Sequence, residues 1–167
     1  MPRSYPEAVR WYRKAAAQGF AAAQNNLGVC FRDSIGVPQD FGKAVHWFRL
    51  AAEQGLAAAQ NNLGVRYYKG QGVETNYVEA AKFYRKAAEQ GLPDALVNLA
   101  ICYTDGRGVP EDRVKAFVYL STAASHGDRF AAQARQFLQK RMTSQQIAEG
   151  QRESMAVIGG KSFALPN

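Results

Sequence analysis

The chain has 167 residues, 47% of them hydrophobic by type, and a formal net charge of +7. That length suffices for one domain with a sizeable core, and no apolar run reaches the roughly 18 to 20 residues that span a bilayer, so membrane insertion is not expected. The basic residues are interleaved with acidic ones, with no basic run beyond Lys140-Arg141, which describes a solvated surface and not a nucleic-acid site.

One spacing orders the elements. Shifted by thirty-six residues, Gly19, Gly55, Gly91 and Gly127 coincide, as do Leu27, Leu63 and Leu99. The pairs Ala15-Ala16, Ala51-Ala52, Ala87-Ala88 and Ala123-Ala124 fall into the same register. A fixed period of this size is the signature of a repeat array. The expected fold is all-α: an α/α superhelical solenoid of about three full 36-residue helix-turn-helix repeats, with a leading half repeat and a C-terminal helical cap. One solenoid domain is expected over residues 1–158, divided into 4–20, 21–56, 57–92, 93–128 and a cap at 129–158, followed by a flexible tail at 159–167.

Residues 4–20 supply only the second helix of a repeat, here called helix B. Ser4 with Glu7 has capping-box spacing, and Ala8, Trp11, Tyr12, Ala15 and Ala16 recur at helical spacing. Either a longer parent supplies the helix A before it or this helix is the N-terminal cap; if nothing covers it, its inner edge is a candidate contact surface. In residues 21–56, helix A carries Ala23, Leu27, Gly28 and Phe31 on one stripe. A glycine inside a helix costs about 1 kcal/mol against alanine, so Gly28 is expected to admit a facing helix closely. Ser34 stands where the next two repeats have Gly70 and Gly106, which is expected to stiffen or distort that turn. Asp40, Asn76 and Asp112 are the expected caps of the later B helices. After Gly127 the pattern degrades: the Leu-Gly pair becomes Arg135-Gln136, suited to an outer face, and Thr143 or Ser144 caps a last helix.

With Leu63 and Tyr67 turned inward, the opposite face of helix A presents a groove floored by Val29, Val65 and Ile101. Asn25, Asn61, Val97, Arg32 and Tyr68 lie on the same face. An asparagine amide both donates and accepts, so the mixture suits an extended segment or short helix of a protein partner. Asn26, Asn62 and Asn98 form a second series that either holds a peptide backbone or ties neighbouring repeats together. A third series, Arg13, Arg49 and Arg85, is expected to be solvated and paired within its helix to residues such as Glu53 and Glu89.

Catalytic chemistry is sparse. His46 and His126 occupy unrelated repeat positions, and no cysteine, histidine or carboxylate cluster has metal spacing, so no metal or cofactor is expected. Gly159-Gly160-Lys161-Ser162 has the end of a phosphate loop, but Met155 stands at its first glycine. Cys30 and Cys102 share one repeat position two repeats apart. Stacked helix layers put such positions about 20 Å apart, beyond the ~7 Å of a disulfide, so two free thiols are expected. The N-terminus lacks a secretory apolar core. The expected compartment is the cytoplasm, or the periplasm or exterior if the sequence is cut from a secreted parent.

Leu63-Gly64, Tyr67, Gly70-Gln71-Gly72-Val73, Ala80, Phe83-Tyr84, Lys86-Ala87-Ala88 and Gly91 together resemble the Sel-one-like repeat family, a relative of the tetratricopeptide repeats. The resemblance covers residues 4 to about 141, and Met142 to Glu149 resembles the cap of some bacterial members. It implies that helix A lines the concave side and that the chain is a non-enzymatic adaptor or scaffold. The disulfides of the family's cysteine-rich branch do not carry over, since no repeat holds a second cysteine. Self-assembly through the N-terminal helix and the C-terminal cap is the alternative. An enzyme acting on cell-wall or β-lactam compounds is a third reading, and the chain has no Ser-x-x-Lys.

Overall fold

The structure is a computed structural model that describes residues 4–159. Of the tail expected at 159–167, and of the phosphate-loop-like Gly159-Gly160-Lys161-Ser162, only Gly159 falls among the described residues. Among those residues the regular structure is entirely helical: α1 (Tyr5–Ala17), α2 (Ala21–Asp33), α3 (Phe41–Glu53), α4 (Ala57–Lys69), α5 (Tyr77–Ala88), α6 (Pro93–Asp105), α7 (Arg113–Ser125), α8 (Arg129–Gln139) and α9 (Ser144–Ile158). The helices group into two compact units, Met1–Asn76 and Tyr77–Asn167.

In the first unit α2 packs on α1 and α3, and α3 on α4. Leu27, Leu63, Ala44, Phe48 and Ala51 have no exposed surface. Each such leucine contributes about 1.5–3 kcal/mol of burial. A Cβ on Gly28 would lie 2.7 Å from the Phe48 ring, so the glycine admits the facing helix as expected. The second loop glycine has a different task. Gly36 sits at φ 69°, and a Cβ there would stand 2.7 Å from the carbonyl carbon of Tyr5, at the start of α1. Gly72, at φ 76°, meets the backbone of Phe41 at the start of α3 in the same way. The loop of one repeat therefore rests on the first backbone turn of the preceding helix B, where no side chain fits.

Several local expectations are corrected. Ser4 precedes α1 but makes no side-chain cap bond, and a proline in the first turn supplies a preset φ instead. Trp11 is 64% exposed, and α1 buries Val9 and Ala16. Ser34 does not distort its turn. It adopts φ 60° and ψ 34° against 64° and 34° at Gly70, and its hydroxyl donates to the Val37 carbonyl at 3.1 Å. Arg49 is not paired to Glu53: its guanidinium donates to the Tyr67 hydroxyl at 3.3 Å on the next helix A. Asp40 is a cap as expected, accepting from the Lys43 amide at 2.9 Å.

The second unit keeps the same construction. There α6 packs on α5 and α7, while α8 and α9 both pack on α7. Leu99, Ala116, Tyr119 and Ala123 have no exposed surface. Arg85 donates to the Tyr103 hydroxyl at 2.5 Å, and the Tyr103 ring stacks on Tyr119 at 5.5 Å. Asp112 accepts from the Lys115 amide, Asp128 from Ala131, and Thr143 forms a capping box with Gln146. The loop glycine Gly108 again rests on backbone, here that of Tyr77. Arg135 does not turn to an outer face. It is half-buried, with its guanidinium 5.8 Å over the Phe117 ring.

Candidate functional site

Each unit presents its own helix-A face, and the two differ in chemistry. On the first, three predicted residues are tied into one polar chain. Arg32 Nη1 donates to Asn62 Oδ1 at 3.1 Å, and Asn62 Nδ2 donates to Asn25 Oδ1 at 3.0 Å. Arg32 also grips Asp33 through two bonds, of 2.7 and 2.5 Å. The bond from Arg32 holds the Asp33 carboxyl below its usual range. Val29, Val65 and Tyr68 are half-buried beside this chain, while Asn26 is exposed. Asn61 is 9% exposed, so little of its amide reaches the surface.

Beneath the same face lie two glutamines that the sequence reading passed over. Gln24 and Gln60 share a repeat position, are buried, and donate to the carbonyls of Ala16 and Ala52 at 3.3 and 3.4 Å. They tie the start of each helix A to the end of the preceding helix B.

The second unit turns this face apolar. Leu96 takes the glutamine position and has no exposed surface. Val97 and Ile101 come together with Phe130, Phe137 and Leu138 of α8 in a pocket of about 150 Å³, with Thr104, Asp105 and Arg141 at the polar edge. Phe130 and Phe137 are 60% and 64% exposed. The Arg141 guanidinium lies 5.8 Å over the Phe137 ring. Asn98 is half-buried beside this pocket's residues in sequence, on the same helix as Val97. Sequence reasoning missed both phenylalanines, although one further period from Ile101 leads to Phe137.

The two thiols are withdrawn from the surface, whereas both histidines are exposed. Cys30 and Cys102 are both free and buried. Burial, aided by Asp33, raises the Cys30 thiol, and burial, aided by Asp105, pushes the Cys102 thiol up to about 12. His126 holds the Thr122 carbonyl at 2.9 Å, and His46 packs edge-on to Trp47. Among the described residues no three metal-ligating side chains converge, and no helix is long and apolar enough to cross a membrane.

A family model described as Sel1 repeat matches residues 1–20, 21–56, 57–92 and 93–128. Among solved structures the chain is similar to c5321, a protective antigen of uropathogenic Escherichia coli with an SLR fold, at 38% identity and a TM-score of 0.85 over 92% of this chain. It is also similar to a Sel1 repeat protein from Oxalobacter formigenes, at 40% identity and a TM-score of 0.68 over 72% of this chain. The chain spans 33% of the length of the first and 49% of the second. No curated protein matches it.

Proposed function

Because the chain belongs to the Sel1 repeat family, whose members are generally protein-interaction scaffolds, we propose that it is a non-enzymatic module that recruits a protein partner through its helix-A faces. The observation that carries this reading is the pocket on the second unit. It joins Val97 and Ile101 to two largely exposed phenylalanines inside a polar edge of Thr104, Asp105 and Arg141. A few aromatic anchors in a concave apolar site, ringed by polar groups, are what concentrate binding energy in a protein interface. On the first unit, Asn25, Arg32, Val65 and Tyr68 would supply orienting contacts, with Asn61 in a lesser role because of its burial.

The test is Ile101→Ala combined with Phe137→Ala. Phe137 is mostly exposed, so the fold is expected to survive. Bacterial lysate proteins held specifically by the wild type and identified by mass spectrometry should be lost from the double variant. Retention of every such protein at unchanged affinity removes the reading.

A specific observation favours self-assembly as a second reading. The inner edge of α1 forms an open cleft of about 390 Å³ lined by Ser4, Glu7, Ala8, Trp11 and Tyr12. The equivalent positions of α3 bury Ala44 and Phe48. Light scattering at high protein concentration tests it, and a strict monomer removes it.

A further inference from the structure

The end of the second unit departs from the repeat at three positions that meet in space. Leu27, Leu63 and Leu99 are followed one period on by Arg135. The series Arg13, Arg49 and Arg85 ends in Ser121, and Tyr67 and Tyr103 are followed by Gln139. In the earlier copies the arginine and tyrosine of these series bond each other, Arg49 to Tyr67 and Arg85 to Tyr103. Here all three replacements line one cleft of about 530 Å³ between α8 and α9, with Phe117 of α7 and Gln151, Met155 and Ile158 of α9. The cation has moved from the back of helix B into the seam that the leucines fill elsewhere.

The guanidinium is held but poorly satisfied. It lies over the Phe117 ring, 5.8 Å from its centre, and one terminal nitrogen lies 3.5 Å from the Ser121 hydroxyl, at the limit of a hydrogen bond. Its Nε is shut off from solvent and has no acceptor among the described residues. A half-buried cation with an unmet donor has lost hydration without full replacement. With Nε closed off, the terminal nitrogens are the part of the group left to meet a ligand. The planar guanidinium fork matches a carboxylate, and Gln139 and Gln151 add amide donors at the edge. Met155 and Ile158 give the same cleft an exposed apolar wall.

We propose that this cleft is a carboxylate-recognition site for a protein segment carrying a glutamate or aspartate beside an aliphatic residue, with the carboxylate on Arg135 and the aliphatic group against Met155 and Ile158. It deepens the protein-binding reading and depends on it only for the class of ligand, since none of its residues lines the pocket of Phe130 and Phe137. The experiment follows the side-chain Nε–H signal of Arg135 by nitrogen-15 correlation NMR, assigned by its disappearance in Arg135→Lys. The probes are two blocked tripeptides, acetyl-Leu-Glu-Leu-amide and its Leu-Gln-Leu twin, at millimolar concentration.

The glutamate peptide should shift the Arg135 signal and bind about tenfold or more tightly than the twin, the size of one charge-assisted contact. Arg135→Gln should erase that preference, with its melting curve confirming a folded chain. Phe137→Ala should leave the preference intact even if it abolishes partner binding. Equal binding of the two peptides overturns the proposal, as does a preference that survives Arg135→Gln or is lost in Phe137→Ala. Binding that appears only after residues 160–167 are removed also overturns it, because the chain would then fill its own cleft.

Discussion

The two units use one scaffold to display opposite surfaces. At matching repeat positions the first has Gln24 and Gln60 where the second has Leu96, and Asn25 where the second has Val97. The first unit spends its helix-A face on its own hydrogen bonds, from Arg32 through Asn62 to Asn25. The second leaves two phenylalanines exposed around a pocket. The residues that set helix contact, such as Leu27, Leu63 and Leu99, do not change between them. Repeat architecture thus separates the residues that hold neighbouring helices together from those that face outward, and the outward set is free to diverge.

The largest expected effect tests the shared part. Gly72→Ala and Gly108→Ala each drive a Cβ into the backbone of a preceding helix, at Phe41 and Tyr77. Each should cost about 2–4 kcal/mol in urea unfolding, from overpacking and a strained positive φ. Similar losses are expected in both units, and a neutral result at either site breaks the claim of a common scaffold. Next comes the polar chain of the first unit. Asn62→Ala removes both of its hydrogen bonds and should cost about 1–2 kcal/mol, whereas Phe137→Ala in the second unit should change stability far less because the ring is already wet. An Asn62→Ala protein as stable as the wild type would show that the network is ornamental to the fold.

Alkaline pH separates the units through their thiols. Cys102 keeps its proton in the fold up to about 12, against 9.0 for an ordinary exposed thiol. Between those values the folded state binds more protons than the unfolded one, so stability falls as pH rises through that window. Cys102→Ala should flatten the fall more than Cys30→Ala, because burial is the leading cause at both thiols and the larger rise is at Cys102. Equal loss of unfolding free energy in the two variants between pH 9.0 and about 11 would contradict this. The smallest effect is expected at Ser34→Gly. It relieves the left-handed backbone of a serine but gives up the bond to Val37, for a net gain of about 0.5 kcal/mol in thermal melting.

Much of this molecule was legible in its sequence because the period repeats local rules. The caps at Asp40 and Asp112, the turn after α4 and the buried leucine seam each follow from a residue type recurring at one phase. Ser4 fits the same phase yet makes no cap bond, since a recurring position fixes backbone path but not side-chain rotamer. Asn61 lies on the expected face of α4 but is buried, because exposure depends on what packs alongside and a helical wheel holds no such information. Phe130 and Phe137 were missed, and Arg135 was assigned to an outer face, for a third reason. They lie past Gly127, where the repeat loses its landmarks, although the period still assigns each of them a place.

The seating of Gly36 on Tyr5 and of Gly72 on Phe41 also orders events in time. Each loop finds its resting place only once the first turn of the preceding helix B exists. Opening α1 therefore unseats the loop after α2, whereas α3 can stay formed beneath the loop after α4. Within the first unit amide protection should rise from α1 toward α3, as a gradient of nearest-neighbour coupling along the chain and not a single melting of the whole.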